Sequence, residues 1–337
     1  MQKNFILSLI LLFSLVAKSQ NDIVDELVNE QKPKREYVAY TFKTTRVISG
    51  HSIETVKKNA LDFRISHRFG DIATPQAGHT LAGFYAISDV MFSLEYGILD
   101  DLTVGVMGTK GASGNNAFKE LYTGFVKYRV LKQTRDFKFP MTITLFGNAS
   151  VSGMKNDPFN SSLLLKNEKV AHRFSYILQS MFAVKATDWL SVQLSPTFVW
   201  RNYVPYNDRN GLFFLGLSAR AKVSKRTAIL FEYYLPITAN HATYREYFPM
   251  VRGLKNAGYY PALNLGMEFE TGGHVFHINL TNSEGLVEND FLPYTTKNWA
   301  QGQFRLGFTI SRIFQLGKNG GRSSWDEKDT KSKKKKS

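Results

Sequence analysis

Seven histidines and a scatter of serines are the residues of this chain with the most obvious catalytic or metal-binding chemistry, and their spacing argues against both uses. His274 and His277 lie three apart, Ser66 adjoins His67, and His172 precedes Ser175 by three. A metal site or an activated serine needs side chains that converge on one point. All three pairs sit in stretches that alternate apolar with polar residues, the pattern of a strand, where neighbours one or three apart point to opposite faces. No GxSxG elbow and no paired catalytic carboxylates appear. The glycines from Gly105 to Gly114 read as strand and loop glycines and not as a phosphate cradle. The chain has no cysteine, which excludes a thiolate nucleophile, a Cys-ligated metal, a disulfide framework and a lipidated N-terminal Cys. No catalytic residue, cofactor or metal ligand is expected, and the protein is not expected to be an enzyme.

What the charged residues offer instead is binding or selection by sign. They recur at the polar positions of the alternation: Asp62, Arg64, Ser66 and Arg68 between Leu61, Phe63, Ile65 and Phe69, for example. Assigned to one face, these registers collect Arg64, Arg68, Lys119, Lys127, Arg129, Arg173, Lys185, Arg201, Arg220, Lys222 and Arg305 against Asp62, Asp89, Glu95, Glu232, Glu268 and Glu270. The count is eleven positive to six negative. Lining a pore, such a surplus favours anions. Lining a closed space, the same residues form a salt-bridged filling. The sequence leaves both open, because barrels of about eight strands are filled by side chains and wider ones open progressively.

The elements that position these charges are strands long enough to cross a bilayer. Aromatics make up 14% of the 337 residues, with 26 Phe and 16 Tyr, a bias that favours β-structure. No apolar run after the N-terminus approaches the ~20 residues of a membrane-spanning helix. Alternation over about ten residues recurs twelve times, at roughly 61–69, 88–98, 102–110, 119–130, 140–152, 172–186, 190–203, 211–223, 227–238, 260–270, 274–282 and 301–314. The connections sort into two kinds. Those after strands 2, 4, 6, 8 and 10 are short, and those after strands 1, 3, 5, 7, 9 and 11 are mostly long. Short turns at one end and long loops at the other describe an all-β fold, a transmembrane antiparallel up-and-down β-barrel, with both termini periplasmic. Tyr176, Trp200 and Phe213 near the outer strand ends, and Tyr128, Trp189 and Phe314 near the inner ones, suit the membrane interfaces.

The flanks divide the chain further. Lys3, the apolar run Phe5 to Val16 and the small residues Ala17 and Ser19 read as a secretory signal peptide over residues 1–19, cut before Gln20. Residues 20–59 form an N-terminal periplasmic or lumen segment. Its charges Arg46, His51 and Glu54 keep it away from lipid, and residues 37–58 are either a plug or an extra periplasmic hairpin or edge strand. The barrel occupies 60–314, and 315–337 form a basic periplasmic tail expected to be disordered. The tail carries eight basic and three acidic residues from Lys318 onward, so much of the formal charge of +15 is a solvated extension and not a nucleic-acid-binding face.

TFKTTRVISGHSIE at Thr41–Glu54, LDFRISHRFGDI at Leu61–Ile72, LEYGILDDLTVG at Leu94–Gly105 and FVKYRVLKQ at Phe125–Gln133 resemble a family of Gram-negative outer-membrane β-barrels known only as a domain of unknown function. The resemblance implies an outer-membrane barrel and brings no catalytic or ligand residues. The expected function is a passive channel or binding barrel for a small anionic solute, or alternatively a closed barrel serving as a membrane scaffold for a periplasmic protein. Expected partners are outer-membrane lipid and the barrel-assembly machinery, with no nucleic acid. The residues expected to matter are Arg64, Arg68, Glu95, Arg129, Arg173, Arg220, Glu232, Glu268 and Arg305 in the lumen, and Arg46, His51 and Glu54 in the plug.

Overall fold

A computed structural model describes residues 36–72, 79–81, 83–85, 87–111, 119–154, 169–204, 209–238 and 259–316. The signal peptide expected over residues 1–19, most of the expected tail 315–337 and much of the longer connections lie outside these residues. Twelve antiparallel strands close into a barrel, each paired with its sequence neighbours and the last with the first. They are β1 Ala60–Asp71, β2 Ile87–Leu99, β3 Leu102–Gly111, β4 Glu120–Leu131, β5 Thr142–Ser152 and β6 Phe174–Lys185. The second half comprises β7 Leu190–Arg201, β8 Gly211–Lys222, β9 Thr227–Pro236, β10 Ala262–Thr271, β11 His274–Thr281 and β12 Arg305–Gln315. Closure runs from Ala60↔Gln315 to Arg68↔Gly307, then shifts register before Asp71↔Arg305.

Alternation fixes which face each residue takes, because a slip of one position would send every apolar residue inward. Along β5, Thr142, Thr144, Phe146, Asn148 and Ser150 are buried inside, while Leu145 is 46% exposed on the outer wall. Leu194, Leu265 and Ile278 are likewise exposed outside, and Leu215 and Phe231 share that register, half-buried by their neighbours. An apolar outer band over a polar inner face is the arrangement a bilayer demands. The strand most displaced from its expected range is β12, which begins at Arg305 and not 301. Trp299–Gln301 form a 3-10 turn ended by Gly302 in the left-handed region (φ 70°), and this turn takes up the preceding residues.

Connections 100–101, 132–141, 186–189, 223–226 and 272–273 lie at the barrel end where β1 starts and β12 finishes. The longer connections lie at the opposite end. One of these, 282–304, carries a short helix, α1 (Glu288–Tyr294), all seven residues of which are buried. That loop folds into the barrel instead of standing above it.

Candidate functional site

The lumen is occupied by the N-terminal segment. From a bridge between Tyr37 and Thr134 at the short-turn end, the chain enters the barrel and reverses at an Arg46–His51 bridge. There the Val47 amide donates to the Gly50 carbonyl at 3.0 Å. The chain then returns to pair Lys58 with Gly97 before β1. Every residue from Thr44 to Glu54 is buried. Of the two readings of 37–58 open in the sequence, the geometry is that of a lumen insert. A side chain at Gly50 would collide with the Tyr234 hydroxyl on β9, and one at Gly97 would meet the backbone of Lys57, so the hairpin tip and its exit both need glycine.

Wall side chains hold the insert largely through its backbone, which between Thr41 and Val56 pairs with no wall strand among the described residues. The Glu232 carboxylate accepts from the amides of Ile48 (3.0 Å), Ser49 (2.9 Å) and Gly50 (3.1 Å). Lys127 Nζ donates to the carbonyls of Thr45 (2.9 Å), Ser52 (3.2 Å) and Glu54 (3.1 Å). Gln193 accepts from the Ile53 amide at 2.9 Å and donates to the His51 carbonyl at 2.9 Å, and Thr144 donates to the Ile53 carbonyl at 3.0 Å. These contacts supply the pairing that buried amides and carbonyls require. Phe42, Val47, Ile48 and Ile53 also join an apolar cluster with Met107, Phe125 and Phe146 on the wall. Burial of each such side chain stabilises seating by ~1.5–3 kcal/mol.

From the other end, α1 meets the hairpin tip. Arg46 Nη1 lies 3.4 Å from Glu288 Oε1, which also accepts from the His51 amide at 3.2 Å. Arg46 Nη2 is 2.9 Å from His51 Nε2; a guanidinium only donates, so Nε2 accepts and the ring proton sits on Nδ1. The His51 ring packs against Phe125 and Phe146, with centroids at 5.0 and 4.1 Å. Burial first, then the charges of Arg46 and Lys127, hold the His51 pKa well below 6.5. Burial pushes the Glu288 carboxyl up, against the opposing pull of Arg46. At the segment's entry, burial raises the Tyr40 phenol to about 12.

The expected lumen and plug residues fall into distinct groups. Arg64 donates to Thr45 Oγ1 at 3.1 Å and reaches Asp62 at 3.3 Å, Arg68 reaches Ser49 Oγ at 2.5 Å and Asn279, and Arg129 pairs with Glu54 at 3.6 Å. With Glu232, these four wall residues touch the insert, where Arg46, His51 and Glu54 lie. Glu54 also folds back to accept from the amides of Thr41 and Phe42 at 2.8 and 3.1 Å. Glu95 is fully buried opposite Asp62. Arg220 and Glu268 pair at 2.7 Å, with His277 on the other carboxylate oxygen at 3.3 Å. Arg305 stands towards the long-loop end, bound to Asp71 (2.5 Å) and Glu284 (2.7 Å). Arg173 is not on a strand at all. It closes the 3-10 turn Val170–Arg173 ahead of β6 and is half-buried there.

The expected charge surplus also changes. Lys119 precedes β4, Arg173 is in a turn, and Lys185 and Lys222 sit at the mouth, so four of the eleven cations leave the interior. Acids that the register count did not include enter from the insert and the loop. Among the described residues the buried cations are Arg46, Arg64, Arg68, Lys127, Arg201 and Arg305, six in all, against eight buried carboxylates: Glu54, Asp62, Asp89, Glu95, Glu232, Glu268, Glu288 and Asp290. Glu288 and Gln193 carry much of the site yet have no sequence motif. The signal for Glu288 was the apolar and aromatic run LVENDFLPY inside a loop, which is unusual for a solvated connection. His274 is half-buried at the start of β11 and contacts Arg312, while His277 is wholly buried on Glu268, so the two histidines do not converge.

Residues 42–314 match the family model described as "Membrane bound beta barrel domain (DUF5777)". No curated protein matches the sequence. Among solved structures, the KdgM porin is similar with a TM-score of 0.43 at 9% identity, covering 75% of this chain and 98% of that one. The same figures hold for the KdgM porin in complex with disordered oligogalacturonate. An outer membrane channel from Pseudomonas putida F1 gives a TM-score of 0.43 at 12% identity, covering 78% and 98%.

Proposed function

The chain belongs to this family of membrane-bound β-barrel domains, and from that premise we propose that it is an outer-membrane channel for a small solute, closed by its own N-terminal segment. The observation that carries the reading is the mode of filling. A twelve-strand wall leaves more interior than its own side chains fill, and here one hairpin, whose backbone meets the wall's only near its two ends among the described residues, takes up that space. Its backbone is bound by side chains and not built into the sheet, so withdrawing it leaves all twelve strand pairings intact. Water or solute can replace those side-chain partners, since each is a polar group that hydrogen-bonds in water. Unpartnered buried atoms, among them both Glu95 carboxylate oxygens, Ser93 Oγ and the Asn148 amide, favour a hydrated interior around the insert. Both termini face the periplasm in this reading, so the insert enters from that side.

Conductance in a planar bilayer tests it. Full-length mature protein is expected to be silent or to open briefly, and Glu232→Ala, which releases three backbone amides of the hairpin, is expected to raise the open fraction severalfold. Deletion of 20–56 is expected to give steady conductance. Silence of both variants, with the barrel still folded by its heat-modifiable gel mobility, would instead support a closed barrel acting as a scaffold for a periplasmic protein. The Arg46–Glu288 contact, which ties the insert to the outer loop, is the feature that favours that second reading.

A further inference from the structure

We infer that the short-turn mouth of the barrel carries a binding site for a small oxyanion, a phosphate or carboxylate group, built jointly by the N-terminal segment and the wall. A cavity of about 190 Å³ opens there, with Tyr40, Thr41, Phe42 and Lys43 of the segment on one side and the ends of β6, β8 and β10 on the other. The wall residues face inward by register. Ser218 and Glu268 are buried inside, so Arg220, Lys222 and Glu270, at even spacing from them, point the same way. A ligand here meets the aqueous mouth and not the bilayer.

Four cations line this cavity, Lys43, Lys185, Arg220 and Lys222, against Asp188 and Glu270. Glu270 is already engaged, 2.6 Å from Lys43 Nζ and 3.6 Å from Arg220. Asp188 is fully exposed and pairs with Lys185 at 3.9 Å, a solvent-screened contact that offsets little of its charge. Lys222 makes no ion pair among the described residues. Lys222, with no ion pair, and Lys185, with only a screened one, thus line a concavity, where an anion between them is held more strongly than on an open surface. The volume suits a small oxyanion and a few waters, not an oligomer or a lipid.

Because Tyr40–Lys43 form one side of the cavity, the site is complete only while the insert is seated. An anion bound there therefore stabilises the seated state by linkage. The inference stands on the mouth alone and holds whether or not the lumen conducts, so its test and the conductance test fail separately.

Isothermal titration of the full-length mature protein in neutral detergent, with inorganic phosphate and separately with citrate at constant ionic strength, is the test. One saturable site is expected for at least one of the two. Lys185→Gln/Lys222→Gln should weaken it at least tenfold, whereas Lys110→Gln, on the far side of the barrel, should leave it unchanged. Both mouth lysines are partly or fully solvated, so the double variant should fold, as heat-modifiable mobility would show. No saturable binding of either anion, equal affinity in the double variant, or displacement of the anion by anionic lipid added to the micelles would each overturn the assignment.

Discussion

Arg46 and Glu288 are 242 residues apart in sequence and meet at 3.4 Å inside the barrel, one carried in by the segment before β1 and the other by the loop before β12. Both side chains are almost wholly withdrawn from solvent, at 1% and 0% exposure. Removing one partner of such a pair leaves a buried charge without its counterpart, which costs about 3–5 kcal/mol, whereas removing both costs less. Arg46→Ala alone should lower thermal stability by an amount in that range, and Arg46→Ala/Glu288→Ala should recover part of it. A double-mutant cycle on the unfolding free energies measures the coupling, and additive losses would show that the contact does not join insert to loop.

Acid should loosen the insert. Its burial and the charges of Arg46 and Lys127 keep His51 neutral when seated, with a pKa well below 6.5. Once exposed to water, the ring takes a proton below about pH 6.5. The exposed state then binds more protons, so seating weakens as pH falls from 6.5 towards the lowered value, by up to about 1.4 kcal/mol per pH unit. Glu288 works in the opposite sense. Its raised pKa means that the seated state binds a proton first, a stabilisation present below 4.5 and lost as pH rises through the raised value. The two groups thus act against each other below pH 6.5. Hydrogen exchange over residues 41–56, corrected for intrinsic rates, should accelerate as pH falls below 6.5, and His51→Gln should abolish the acceleration.

Charge on the outer wall should be costly. Arg in place of Leu145, Leu194, Leu265 or Ile278, each more than 40% exposed on the apolar band, should destabilise by about 2–4 kcal/mol if it lies near the bilayer midplane. Leu215 and Phe231 should behave similarly. The inner neighbour Thr144 would count as tolerant by register alone. Its bond to the Ile53 carbonyl changes that expectation: Thr144→Arg should displace the insert and leave the barrel folded. Equal loss of fold in both registers would contradict a lipid-facing outer wall.

The barrel should end at β12. Leu61↔Phe314 and Ala60↔Gln315 are the final rungs of the closing seam, and Arg312 stacks on the Phe314 ring at 5.0 Å. Truncation after Gly317 should leave a heat-modifiable, membrane-inserted barrel, while truncation before Phe304 should abolish it and Phe314→Ala should slow assembly. If loss of residues 318–337 alone prevented insertion, the seam could not be the last requirement for closure.

The alternation of Leu61, Phe63 and Ile65 with Asp62, Arg64 and Ser66 determined the fold, because strand periodicity is local: neighbouring residues alone decide which side faces lipid. Short and long connections likewise gave the strand order and the shared end of β1 and β12, since a two-residue link allows only an adjacent antiparallel partner. The contents of the lumen were not local. Arg46, His51 and Glu54 were recognisable as too polar for lipid, but whether they stood inside or below the barrel turned on Glu232, Lys127 and Gln193, up to 184 residues away. The apolar and aromatic residues around Glu288 hinted at burial of its loop, but not at its pairing with Arg46, because that partner is supplied by the opposite end of the barrel. The charge balance depended on the same long-range packing: a register count sees only the wall, whereas the two inserted segments bring their own carboxylates, and only closure of the barrel around them sets all these charges in one low-dielectric space.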